Sequence, residues 1–251
     1  MKIAAQLYTV RDFTQTAEGI EESLKKVKEI GYDAVQVSGF GPIDPEKLKE
    51  LLDEIGLEVC ATHIGFDRLK NDLDSVIKEH KLWGCKHVGL GIMPEEYRDS
   101  AEGIRKFIKE ITPIARKIKN NGLQFIYHNH NVEFAKYGDK TGMDILFEES
   151  DPEVFDFEID TYWIQAGGAD PAEWIRKVNN RMNVVHFKDM TVDGWDPLMA
   201  EVGEGNLNWE RIIAACKENE VEWACVEQDI CPGDPFDSLE ISLNNLKKMG
   251  F

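Results

Sequence analysis

The stretch Asn183-Val-Val-His-Phe-Lys-Asp-Met190 decides how the rest of the chain is read. Its β-branched start, Val184-Val185, predicts a buried strand. The end of that strand carries an imidazole, an ammonium and a carboxylate at His186, Lys188 and Asp189. Strand side chains alternate between faces, so Val184, His186 and Lys188 point the same way. A buried strand that becomes ionisable only at its C-terminal end opens onto a site in α/β proteins. The plainer alternative is a histidine capped by a backbone carbonyl at the sheet rim. The two readings part on whether other strands end in the same manner.

Outward from this stretch, apolar runs and amphipathic runs alternate without a break. Strands are predicted over residues 3–10, 32–38, 57–63, 87–92, 123–130 and 154–162 before it, and over 222–228 after it. Helices follow each of them. The first has Ile20, Leu24, Val27 and Ile30 spaced three or four apart and stops at Gly31; the second is capped by Asp44-Pro45 and stops at Gly56. The others are expected over 69–83, 101–119, 141–149, 171–178, 208–219 and 235–249, with a loop of roughly 17 residues after the seventh strand. Strict alternation implies a parallel sheet, and eight units imply closure into a single (β/α)8 TIM barrel spanning residues 1–251. An open doubly wound sheet is the competitor, but no Gly-x-Gly-x-x-Gly follows the first strand.

Composition narrows the function classes. Hydrophobic residues make up 42% and charged residues 30% of the chain, enough for a core under a solvated surface. The net charge is −18 and no Lys/Arg run occurs, so the basic footprint of a nucleic-acid binder is missing. Five cysteines, odd in number and without Cys-x-x-Cys spacing, argue against a disulfide framework or a zinc ribbon; Cys60 and Cys225 read as small core residues. Met1-Lys2 leads straight into the first strand and no apolar run approaches about 18 residues, so the expectation is a cytoplasmic protein without a membrane span.

Active sites of such barrels sit at the C-terminal ends of the strands. Those ends offer Gln6, Tyr8 and Arg11; Gln36 and Ser38; His63; only Gly89 and Gly91 on strand four; His128, Asn129 and His130 with Glu133 just beyond; Glu158 and Asp160; His186 and Lys188; and Glu227 with Asp229. Four of the six histidines therefore fall at strand ends. Carboxylates and imidazoles converging on one mouth predict a divalent cation site, and mixed oxygen and nitrogen ligation suits Mn²⁺, Mg²⁺, Co²⁺ or Zn²⁺.

Ile159-Asp-Thr161, His186-Phe-Lys-Asp189, Val202-Gly-Glu-Gly-Asn-Leu-Asn-Trp209 and Glu227 together resemble the sugar phosphate isomerase/epimerase group of the xylose-isomerase-like barrel superfamily, over essentially the whole chain. That superfamily also holds ketose 3-epimerases, inosose dehydratases, hydroxypyruvate isomerases and endonuclease IV. The resemblance implies a divalent ion, commonly Mn²⁺, held by a glutamate from strand five, an aspartate from strand six, a histidine from strand seven and a glutamate from strand eight. By motif position it assigns Asp160, His186 and Glu227 as three of these ligands. Strand five departs from the pattern, with Tyr127-His-Asn-His-Asn-Val-Glu-Phe134 where the epimerases place a glutamate. Either His128 binds the ion or Glu133 reaches back from the loop; a third carboxylate suits Mn²⁺ better, which favours Glu133.

The resemblance further implies a small-molecule carbohydrate substrate, reaction through an enediolate and, since relatives are often dimers or tetramers, a homo-oligomer. Glu227 is the expected base, with His128 or Glu133 as the second proton-transfer group. His63, His130, Lys188, Gln36 and Tyr8 are the expected substrate contacts, and Trp163 and Phe66 are placed to stack on a ring. A histidine in place of the second carboxylate leaves isomerisation, epimerisation and elimination of water all open, so an inosose-dehydratase-like or keto-glycoside lyase is the alternative. An endonuclease-IV-like hydrolase would need more histidines and a basic groove. The absence of a glycine-rich phosphate loop at strands seven and eight inclines the reading to a non-phosphorylated substrate.

Overall fold

In the computed structural model, which covers Met1–Phe251, the eight predicted apolar runs form one closed ring of parallel strands. In chain order these are β1 (Lys2–Gln6), β2 (Ala34–Val37), β3 (Glu58–His63), β4 (His87–Leu90), β5 (Gln124–His128), β6 (Phe155–Asp160), β7 (Val184–Phe187) and β8 (Trp223–Val226). β1 closes the ring by pairing with both β2 and β8, with Ala5 opposite Val35 and Ala4 opposite Cys225. Helices cover the outside, and their apolar stripes pack on the outward faces of the strands in one continuous core.

The ring's interior has a second, smaller cluster. Ala4, Ala34, Cys60, Ala61, Ile126, Val184, Trp223 and Cys225 fill its N-terminal half, Trp223 being the one large ring among small and branched side chains. Moving up the same inward faces, the residues become Gln36, His63, His128, Glu158, Asp160, His186 and Lys188, all in or just past the strands. Dry packing below and ionisable groups above put the chemistry at the C-terminal mouth. The five cysteines are free, and Cys60 and Cys225 are buried in strands as expected.

The helix ends follow from local chemistry. Thr16, Asp44, Ser100, Asp170 and Asn208 each accept a backbone N–H with their side chains at a helix start. Gly31 closes the first helix with φ of 113°, a backbone region that residues with a Cβ avoid.

Three expectations needed adjustment. The first strand was expected to run to residue 10 but stops at Gln6, because the Gln6 side chain accepts the N–H of Tyr8 and turns the chain into a 3-10 helix, Leu7–Phe13. The helix expected over 69–83 is two, Phe66–Asn71 and Leu73–Trp83, broken where Asp72 adopts φ −141° and ψ 35°. The long loop after β7 contains an antiparallel hairpin, Asp189–Asp193 with Asp196–Ala200. No helix is long and apolar enough to cross a membrane.

Candidate active site

Four side chains from four consecutive strands meet at the mouth. His128 ends β5, Asp160 ends β6, His186 lies in β7 and Glu227 follows β8; one ligand atom from each falls within 4.8 Å of all the others. All four are buried. His186 Nδ1 is 3.0 Å from Glu227 Oε2 and 3.7 Å from Asp160 Oδ2, and His128 Nε2 is 3.3 Å from Asp160 Oδ2.

Each of these groups is held from behind. Asp160 takes the N-cap of the helix Thr161–Ala166 through Oδ1, at 2.9 Å from the Trp163 N–H, while its Oδ2 faces the site. Asn129 accepts the Asp160 N–H at 3.0 Å. Thr161 Oγ1 accepts the Lys188 N–H at 3.0 Å and donates to the Lys188 carbonyl at 2.8 Å. That hydroxyl explains why Ile-Asp-Thr and His-Phe-Lys occur together: it ties the end of β6 to the end of β7. The His128 Nδ1 atom lies 3.0 Å from the Gly91 carbonyl.

Charge is unevenly distributed here. Asp160, Glu227 and Asp229 crowd around one ammonium, Lys188, whose Nζ is 2.7 Å from Glu227, 2.8 Å from Asp229 and 3.1 Å from Asp160, while a fourth carboxylate, Glu158, faces His63 and His186. Burial opposes the charge on Glu227, but the fields of Lys188 and His186 outweigh it and hold the carboxyl well below its usual range. Burial likewise opposes a proton on His186, yet Glu158 and Glu227 pull its pKa well above the ordinary imidazole value. Four carboxylates against Lys188 and a protonated His186 leave net negative charge among buried side chains, the setting that draws in a cation. Two imidazoles and two carboxylates match the donor preferences of a first-row divalent ion, so these residues could hold one.

The structure does not bring Glu133 into this group. Its carboxylate is buried on a 3-10 turn, Val132–Phe134, where it accepts the Tyr127 hydroxyl and, at 2.8 Å, the His130 N–H. Both oxygens are thereby committed to shaping the loop after β5, and the strand-five donor in the cluster is His128. Gln36 also differs from expectation. It is fully buried beneath the site and does not line the cavity; its Oε1 accepts from His186 Nε2 at 2.8 Å and its Nε2 donates to Glu158 at 2.9 Å.

Above the cluster lies a cavity of about 720 Å³. Its walls include the expected contacts Tyr8, His63, His130 and Lys188 as well as Glu227 and both proposed stacking residues, Phe66 and Trp163. Phe66 begins a short helix and is buried, whereas Trp163 sits over Lys188 with its centroid 5.5 Å from the ammonium. Burial first, then the neighbouring His128, pushes His130 down to about 3, so it is a neutral hydrogen-bonding group at pH 7. Arg11 stacks on Tyr8 and spends its guanidinium on the carbonyls of Tyr8 and Asp229.

Three residues that carry the architecture had no assigned role in the sequence reading. Glu158 and Asp229 were visible only as carboxylates on or after apolar strands. Asp189 is the most connected: its two oxygens accept five N–H groups, from Met190, Gly203, Gly205, Leu207 and the Trp209 indole. The segment 202–209 therefore wraps a buried carboxylate. A Cβ on Gly205 would collide with that carboxylate, which is why glycine stands there.

A family model described as the xylose isomerase-like TIM barrel matches residues 24–249. The chain belongs to that family. Among curated proteins it is 26% identical over 199 residues to an inosose dehydratase of Geobacillus kaustophilus, covering 69% of this chain and 63% of that protein's length. It is 22% identical over 258 residues to one of Lacticaseibacillus casei, covering 86% of this chain and 85% of that protein. A sugar phosphate isomerase/epimerase of Parabacteroides distasonis superposes with a TM-score of 0.81 at 22% identity, covering 99% of this chain and 98% of that one. An L-ribulose 3-epimerase gives 0.74 at 14% identity, with 99% and 94% covered. At these identities the structural likenesses establish the fold.

Proposed function

We propose that this protein is a divalent-metal-dependent isomerase or epimerase that exchanges the proton α to the carbonyl of a neutral keto-sugar or related keto-polyol. The observation that carries this reading is the pairing of a deprotonated Glu227 inside a cation-binding group with imidazoles from the other side of the same cavity. His128, Asp160, His186 and Glu227 would hold the ion, and two carboxylates with two imidazoles suit a first-row divalent ion such as Mn²⁺, Co²⁺ or Zn²⁺. When bound, such an ion polarises the substrate carbonyl and acidifies the neighbouring C–H.

Glu227, kept ionised by Lys188 and His186, is the group that accepts the proton. His63, three strands away around the ring, is the second group able to accept or return one. Trp163 and Phe66 provide apolar walls, and His130 and Tyr8 supply hydrogen bonds to hydroxyls. Neither cation of the cavity is free for a phosphate, since Arg11 is spent on carbonyls and Lys188 on three carboxylates. Asp67 and Glu96 on the wall add negative charge, which further favours a neutral substrate.

A second reading, elimination of water, is favoured by the sequence relatives, which are inosose dehydratases. It shares the first proton transfer and differs in the fate of the β-hydroxyl. Incubation of keto-sugars and inososes with enzyme and Mn²⁺ in D2O, followed by NMR, tests both. Deuterium at the carbon next to the carbonyl with epimeric or aldose–ketose products supports the first reading, and a dehydrated product supports the second. Product without solvent deuterium would refute both. Glu227→Gln should slow exchange by about 10² or more, the scale for a positioned base.

A further inference from the structure

Below the cation-binding group sits a carboxylate with no exposure at all, on β6 two residues before Asp160. Glu158 Oε2 is 2.6 Å from His63 Nε2, and its Oε1 is 2.9 Å from Gln36 Nε2 and 3.3 Å from His186 Nε2. A carboxylate can only accept, so the imidazole nitrogens facing it must carry hydrogen. Gln36 fits the same assignment, because its Nε2 donates to Glu158 while its Oε1 accepts from His186 Nε2.

With its Nε2 protonated, neutral His63 presents Nδ1 as its lone-pair atom, and in His186 the far nitrogen Nε2 is likewise held by Glu158, which leaves Nδ1 as the nitrogen that would ligate an ion. His186 Nδ1 is the atom that faces Asp160 and Glu227. His63 Nδ1 lies 3.4 Å from Ser38 Oγ, and both residues line the cavity. The His63 ring has no room to turn away. A Cβ at Gly89 would lie 2.9 Å from its Cδ2 and one at Gly91 2.9 Å from its Nδ1, so the two glycines of the bare fourth strand make the slot that the ring occupies. His63 also stacks on His186, with centroids 5.5 Å apart and planes at 27°.

We infer that Glu158 is a positioning residue that sets two histidines at once, turning His186 Nδ1 toward the ion and His63 Nδ1 toward the substrate. The inference rests on the metal-dependent reading above for what the two rings serve. Ligand imidazoles whose far N–H is held by a carboxylate or amide are oriented and made more basic. Here one carboxylate does this for the ion-site histidine and, in the same stroke, for a histidine on the cavity wall. The two halves of the site are thus linked through a group that touches neither substrate nor ion.

The test combines tautomer and metal affinity. In protein labelled with ¹⁵N-histidine, long-range ¹H–¹⁵N correlations at neutral pH should show His63 as the Nε2–H tautomer. In Glu158→Gln, one acceptor oxygen faces three donors, so the His63 pattern should change. Mn²⁺ affinity, read from free Mn²⁺ by electron paramagnetic resonance, should fall by roughly 10–100-fold, the range for loss of such a partner. His63→Phe, which keeps a ring stacked on His186 and leaves Glu158 and Gln36 facing His186 Nε2, should leave Mn²⁺ affinity within about twofold, well short of the loss in Glu158→Gln. An Nδ1–H tautomer for wild-type His63 overturns the inference whether or not the variant folds. So does a folded Glu158→Gln protein with unchanged tautomer and unchanged affinity. If wild-type protein binds no Mn²⁺, the functional reading fails, while the His63 tautomer still decides the positioning claim.

Discussion

Replacing Asp189 by Asn should destabilise the protein far more than a one-atom change suggests. Asp189 is fully buried, and its oxygens accept backbone N–H groups at 2.8, 2.9, 3.1 and 3.1 Å and the Trp209 indole at 2.6 Å. Three donors converge on Oδ2 and two on Oδ1. Either orientation of an Asn carboxamide turns its own NH2 toward at least two of them. Each lost bond to a charged acceptor costs about 1.5–3 kcal/mol net, and neighbouring losses are not strictly additive. The expected penalty is therefore about 3–6 kcal/mol, which for a chain of this size lowers Tm by roughly 6–24 °C. Urea unfolding followed by far-UV circular dichroism and a thermal scan measure it. Because Asp189 is outside the group of His128, Asp160, His186 and Glu227, any Mn²⁺ stoichiometry of the folded variant should match that of the wild type. A loss below about 1 kcal/mol would refute the view that this carboxylate holds segment 202–209 in place.

Further outcomes follow from the same geometry. His128→Ala should weaken Mn²⁺ binding by roughly tenfold or more, whereas Glu133→Gln should retain stoichiometric metal in calorimetric titration; the reverse pattern would reinstate Glu133 as the strand-five ligand. Mn²⁺ at about 100 times its Kd should stabilise the wild type by about 2.7 kcal/mol, and His186→Ala should remove that increment in thermal scans. His80, buried with its ring between the Val76 carbonyl and Thr62, is pushed down by burial to about 4 from an unfolded value near 6.5. The unfolded chain then binds the extra proton, so stability should fall as pH drops from about 6.5 to 4, by roughly 3 kcal/mol in all, and His80→Gln should flatten that slope in denaturant titrations. With a net charge of −18, the protein should show no retention of an abasic DNA duplex in a gel shift at physiological salt.

The sequence by itself determined the barrel. Eight apolar runs alternating with amphipathic ones, punctuated by Gly31, Gly56 and side-chain caps, can bury their faces in few ways, and hydrophobic periodicity is a local property that survives without tertiary information. It also showed which strand ends bear ionisable groups, because alternation along a strand assigns faces residue by residue. What it could not supply is distance across the ring. Donor chemistry along the chain favoured Glu133 over His128; only the turn at 132–134, which ties the Glu133 carboxylate to Tyr127 and His130, takes it away from the group. Gln36 read as a substrate contact from its inward position, but its depth, one layer below the cavity floor, depends on the stagger of the closed sheet. Glu158 gave no motif, and Asp189, although part of His-Phe-Lys-Asp, gave no role, because their partners lie far away in sequence or on backbone N–H groups that any residue carries. A polar group's role is set by the donors that surround it, and those are gathered only when the ring closes.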